Sequence, residues 1–141
     1  MDANPAGMFI LIAVLIIAVV GVIVLVAATR NAPRLNVTHF QTKWLEIENS
    51  LDRNNRATWE LAIFNADKLV DQALKERRIK GKTMGERMKT AQKMWRNANY
   101  VWSAHKLRNQ LAHETDVVLS YELTSHSLAA FKQALKDLGA I

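Results

Sequence analysis

The chain has 141 residues, half of them hydrophobic, with 19 Lys+Arg against 13 Asp+Glu and no cysteine. That length holds one ordinary domain plus an appendage rather than two full cores. The missing cysteines exclude disulfides and thiolate metal sites and agree with a reducing compartment.

The first element is an unbroken apolar run, "MFILIAVLIIAVVGVIVLVAA", from Met8 to Ala28. At about 1.5 Å per residue it makes a helix of about 30 Å, the thickness of a bilayer's hydrocarbon core. A cleaved signal peptide needs a basic leader and an apolar stretch of roughly 7–15 residues. Here "MDANPAG" carries only Asp2 as a charged side chain and the run is longer, so a retained single-pass anchor is expected. No Lys or Arg precedes the run, whereas Arg30, Arg34 and Lys43 follow it. The positive-inside rule then leaves residues 1–7 outside the cell (inner) membrane and the larger C-terminal part in the cytoplasm.

Residues 29–36, "TRNAPRLN", form a short juxtamembrane linker in which Pro33 opposes helix continuation. Asn36-Val37-Thr38 fits a glycosylation pattern, without consequence on a cytoplasmic face. From residue 37 to 141 the pattern is helical throughout. Phe40, Trp44, Ile47 and Leu51 mark a first stripe, which "LDRNN" interrupts. A longer helix over 56–79 carries Trp59, Ile63, Ala66, Val70 and Ala73, widened by Leu61, Leu69 and Leu74, with Gly81 as its stop. Thr83 and Glu86 make a capping box for a third helix bearing Met84, Met88, Ala91 and Trp95. After "RNAN" the apolar pattern continues with Tyr100, Trp102, Leu107 and Leu111 on a fourth helix. Ser120 caps a last helix, about 121–138, that buries Leu128, Phe131, Leu135 and Leu138 and ends at Gly139. The expected fold is therefore all-α: a transmembrane helix followed by a four- to five-helix up-down bundle with antiparallel neighbours.

All 19 Lys+Arg and 12 of the 13 Asp+Glu follow residue 28, so the bundle carries a positive excess that favours nucleic acid or an anionic leaflet. The excess concentrates in Lys75, Arg77, Arg78, Lys80, Lys82, Arg87, Lys89 and Lys93, a run able to track an RNA backbone or to form a solvated surface. No Gly-rich phosphate loop, nucleophile elbow or paired-histidine zinc motif is present, and neither a metal nor a cofactor is expected.

Chemistry concentrates in "HKLRNQLAHE", residues 105–114. On a helix, residues four apart are separated by about 40°, so His105, Asn109 and His113 form one polar row. Arg108 neighbours His105 and lies about 140° around the helix from His113, flanking a broad face that two helices could share across a dimer. Metal-free RNA cleavage requires a group that takes the 2′-OH proton and one that protonates the leaving 5′ oxygen, which suits histidine. It also requires a planar cation on the phosphoryl oxygens, which suits arginine.

"RNQLAH" resembles the signature of the HEPN superfamily, an Arg and polar residue followed by a His after a short interval; four residues separate Arg108 from His113. The wider text "ADKLVDQAL…GKTMGERM…W…AHKLRNQLAHE" resembles membrane-anchored bacterial HEPN-like proteins across about residues 36–139. The resemblance implies a four- or five-helix bundle, dimerisation through the motif-bearing helix, and in many members metal-independent RNase activity in toxin–antitoxin, defence or RNA-processing systems, with an antitoxin or regulatory protein as partner. By that resemblance Arg108 binds the phosphate, His113 performs acid/base chemistry and Asn109 positions them; His105 joins as a helper by its place in the row. Two other readings remain open: a non-catalytic HEPN-like module binding RNA, a nucleotide or a protein at the membrane, and a structural membrane protein that merely oligomerises.

Overall fold

The computed structural model describes residues 5–30 and 33–141, with side chains for 7–24 and 33–141. Of the expected outer tail, residues 1–4 lie outside the described residues, as do 31–32 of the linker. The chain divides into two compact units at residues 32/33.

The first unit is helix α1, Pro5–Arg30. Its stretch Gly7–Val24 has a mean hydropathy of 3.3 and none of it is buried, so α1 is long and apolar enough to cross a membrane.

The second unit is all-helical, with no strand among the described residues: α2 (Val37–Ser50), α3 (Arg56–Glu76), α4 (Met84–Ala91) with a following 3-10 turn at 92–94, α5 (Ala98–His113) and α6 (Tyr121–Asp137). Local chemistry starts each long helix. Asn36, Asn55, Thr83, Asn97 and Ser120 stand at the N-caps, and each side chain accepts a backbone N–H of the first turn. Glu86 reaches back to the Lys82 N–H at 2.7 Å while Thr83 caps Glu86, which completes the expected reciprocal cap one residue early.

The stops differ from the sequence expectation in two places, α3 and α4; α4 ends at Ala91, and Trp95, expected on it, lies past the 3-10 turn in extended backbone. α6 ends as expected, with Gly139 at φ 68 and the Ala140 N–H returning to the Leu135 carbonyl. α3 stops at Glu76, short of residue 79, and the left-handed position falls on Arg78 (φ 56) rather than on glycine. Ile79 N–H returns to Leu74 to close the same motif. Gly81 serves another purpose: a Cβ there would lie 2.5 Å from the Arg87 amide, so its bareness lets the loop press against α4.

Phe40, Ile63, Leu74, Met88, Phe131, Leu135 and Leu138 are fully buried and tie α2, α3, α4 and α6 around one core, to which α5 adds Val101, Ala104 and Leu107. Two expected stripe members face outward: Leu61 is 53% and Tyr100 66% exposed. Each lies on the rim of its helix, where a stripe drawn wide overreaches the arc that neighbours cover. The four long helices alternate in direction. At one end the Arg77 Nη1 donates to the Pro33 carbonyl, a Cβ at Gly139 would lie 3.6 Å from Arg77 Nη2, and the Arg96 N–H donates to Asp137. At the other end the Arg56 Nη2 donates to the Val117 carbonyl in the α5–α6 connector.

Candidate functional site

His105, Arg108 and Asn109 lie on the side of α5 that packs against α3. Their partner is Asp67, a carboxylate that belongs to no motif in the sequence. It sits between Ile63 and Val70 on the buried face of α3 and is 3% exposed. A spacing of four and three from two core residues was the available signal, since it puts a charge inside the apolar stripe.

A single consistent hydrogen-bond chain follows from donor and acceptor inventories. Arginine only donates, so Arg108 Nη1 faces the Asn109 carbonyl oxygen, at 3.0 Å. The Asn109 amide nitrogen then donates to His105 Nε2, at 3.2 Å. With Nε2 accepting, the ring proton sits on Nδ1 and is donated to Asp67 Oδ1, at 2.7 Å. The other carboxylate oxygen of Asp67 is 3.3 Å from Arg108 Nε, close enough to pair but without the alignment of a hydrogen bond. Trp102 stands edge-on to the His105 ring, and Phe64 lies beneath the Arg108 guanidinium at 5.3 Å. Both nitrogens of His105 are occupied, which makes it a positioning residue.

Arg108 remains about a third exposed and stands at the edge of a cleft of about 340 Å³. The cleft is lined by Phe64, Asp67, Lys68, Asp71, Met84 and His105, among others. Its mixed charge and modest volume suit a phosphate or other small anionic group gripped at the rim rather than a large apolar ligand. No group of three or more His, Asp or Glu with metal-holding geometry occurs among the described residues.

His113 is placed apart. It is the last residue of α5, exposed, and makes no side-chain hydrogen bond within the described residues. About 7.5 Å of helix rise and 140° of rotation separate it from Arg108. Within one chain the structure therefore joins Arg108, Asn109 and His105 and leaves His113 outside the network.

The basic run is divided. Arg87 is 7% exposed; its Nε and Nη2 donate to Asp71 Oδ1 at 2.9 and 2.6 Å, and its Nη1 donates to the Gly81 and Lys82 carbonyls. It holds the α3–α4 loop and presents no free donor face. Burial opposes ionisation of Asp71, but hydrogen bonds from Lys75 and Arg87 outweigh it and hold the carboxyl below the usual carboxylate range. Arg77 is half-buried on Pro33, and Lys75 pairs with Asp71. Arg78, Lys80, Lys82, Lys89 and Lys93 are exposed. This cluster surrounds the end where α3 stops and α5 begins, and α5 then rises about 22 Å before reaching His113. The far end around His113 bears Asp52, Glu114, Asp116 and Glu122.

No family model, curated protein or solved structure matches the chain.

Proposed function

We propose that this chain is a membrane-anchored, HEPN-like ribonuclease, held by α1 with its bundle in the cytoplasm, which cleaves RNA without a metal ion. The observation that carries this reading is the presentation of Arg108. Three groups orient its guanidinium, while one edge of it stays open at a cleft. A buried carboxylate–imidazole–amide chain costs desolvation, and a polar network of that kind is well suited to fixing the direction of one cation.

In this reading Arg108 grips the phosphoryl oxygens and offsets the charge that builds as the 2′ oxygen attacks its own phosphorus. One imidazole takes the 2′-OH proton and a second gives a proton to the departing 5′ oxygen, leaving a 2′,3′-cyclic phosphate and a 5′-OH end. Each chain has one free motif histidine, His113, so two copies must share a cleft. Confinement in a bilayer raises the effective concentration for that pairing.

The test uses the full chain in detergent or nanodiscs, incubated with mixed RNA in EDTA, with product ends mapped. Cyclic-phosphate ends, lost in both Arg108→Ala and His113→Ala, support the reading.

A second reading, a non-catalytic module that binds RNA, a nucleotide or a protein, draws on a specific observation. Arg108 is partly committed to Asp67 and Asn109, and the exposed Glu114 and Asp116 follow His113 directly in the chain. Binding without cleavage by a folded, dimeric wild type would establish it.

A further inference from the structure

We propose that the basic end of the bundle, formed by Arg34, Arg78, Lys80, Lys82, Lys89 and Lys93, docks on anionic lipid headgroups of the leaflet next to α1. This rests on the reading of α1 as a membrane span and gives the basic run an occupant other than RNA.

Connectivity carries the first part. Five peptide steps join Ala28, the last residue of the apolar run, to Pro33, so even a fully extended linker reaches only about 18 Å. Pro33 belongs to the basic end, because its carbonyl accepts from Arg77 Nη1 at 3.3 Å. Arg34 is the next residue. Arg78 follows Arg77 in the left-handed turn that ends α3. Thr90 donates to the Lys80 carbonyl at 2.9 Å, which brings neighbouring Lys89 to the same loop. The cluster is thus attached to the point where the chain leaves the bilayer.

Charge carries the second part. The six named side chains are exposed and form no ion pair among the described residues. At the opposite end Asp52, Glu114, Asp116 and Glu122 outnumber Arg53, Arg56 being paired with Glu60. A negative leaflet attracts the first end and repels the second. The field decays within about 8 Å at physiological salt, less than the roughly 24 Å length of α5. The leaflet therefore selects one orientation, and it turns His113 toward the cytoplasm. RNA at the basic end would instead lie a helix-length from His113, with Lys68, Lys106 and the partly exposed Arg108 along the way.

The test exploits the missing cysteines. Gln92→Cys, at the basic end, and Asp116→Cys, at the far end, each give the full chain a single site for a spin label. The labelled chain is placed in nanodiscs of phosphatidylcholine with or without phosphatidylglycerol, and label depth is read by power saturation. Headgroup contact at position 92 and none at 116, only with phosphatidylglycerol and reversed by high salt, is the expected result. Lys80→Glu with Lys82→Glu shifts the docked fraction toward the free form. Loss of each lysine is worth about fivefold in that equilibrium, and the reversed charges add repulsion. A label at 92 that stays in water in both lipids overturns the docking, as does one displaced from the discs by added RNA at physiological salt. Failure of the chain to enter any disc instead removes the membrane reading of α1, and the docking with it.

Discussion

Asp67 and Asp71 stand one turn apart on α3, border the same cleft, and each meets an arginine. The two pairs differ in what the arginine has left. Arg87 has every nitrogen engaged, two on Asp71 and one on the carbonyls of Gly81 and Lys82, and is almost wholly buried. Arg108 shares Asp67 with His105, gives one nitrogen to Asn109, and keeps an open edge. The same ion-pair chemistry thus closes a loop in one place and aims a cation in the other. What separates the two arginines is their unspent donors, not their carboxylates.

The largest effect expected is on the closed pair. Arg87→Ala leaves the half-buried Asp71 with Lys75 as its one cation and takes the donor from two loop carbonyls, and about 3 kcal/mol of unfolding free energy should disappear in chemical denaturation. RNA cleavage per folded molecule should stay near wild type, since Arg87 has no path to a ligand. A somewhat smaller loss, about 2 kcal/mol, is expected for Asp67→Asn, which keeps the shape but removes the charge that His105 and Arg108 share. That variant should also lose cleavage. An Asp67→Asn protein that is destabilised yet fully active would erase the distinction between the two pairs.

Acid sharpens the contrast further. Asp71 has a folded-state pKa below its unfolded value, so its contribution is complete above the unfolded pKa, near 3.8, and fades as pH falls through the lower folded value. The stability gap between wild type and Asp71→Asn should therefore be constant from neutral pH to about 4 and shrink below it. Denaturation curves for both proteins across that window read it directly. A gap that persists unchanged into strong acid would mean that Asp71 contributes packing rather than charge.

How much of this was legible in the sequence follows from range. Helix starts are local, and Thr83, Glu86 and Ser120 announce themselves within one turn of the backbone they cap. Apolar spacing likewise reveals the buried face of α6. Leu61 and Tyr100 fail because the width of a buried arc depends on neighbouring helices. The same limit hid the network. Its row on α5 is visible, but Asp67 lies 38 residues before His105, and only packing of α3 on α5 joins them. Arg87 and Lys89 look alike in a basic run, yet a tertiary partner buries one and leaves the other in water.

The smallest effect on stability is the most informative. Arg108 is partly exposed, its Asp67 contact lacks hydrogen-bond alignment, and solvent screens its charge, so Arg108→Ala should cost no more than about 1 kcal/mol. Cleavage should nevertheless vanish. Arg108→Lys should lose it too, because an ammonium keeps the charge but not the planar fork that Asn109 and Phe64 orient. Denaturation and RNA cleavage on the same preparations measure both quantities. If Arg108→Ala instead destabilises the bundle as much as Arg87→Ala, both arginines are braces of the fold, and the open edge at the cleft is incidental.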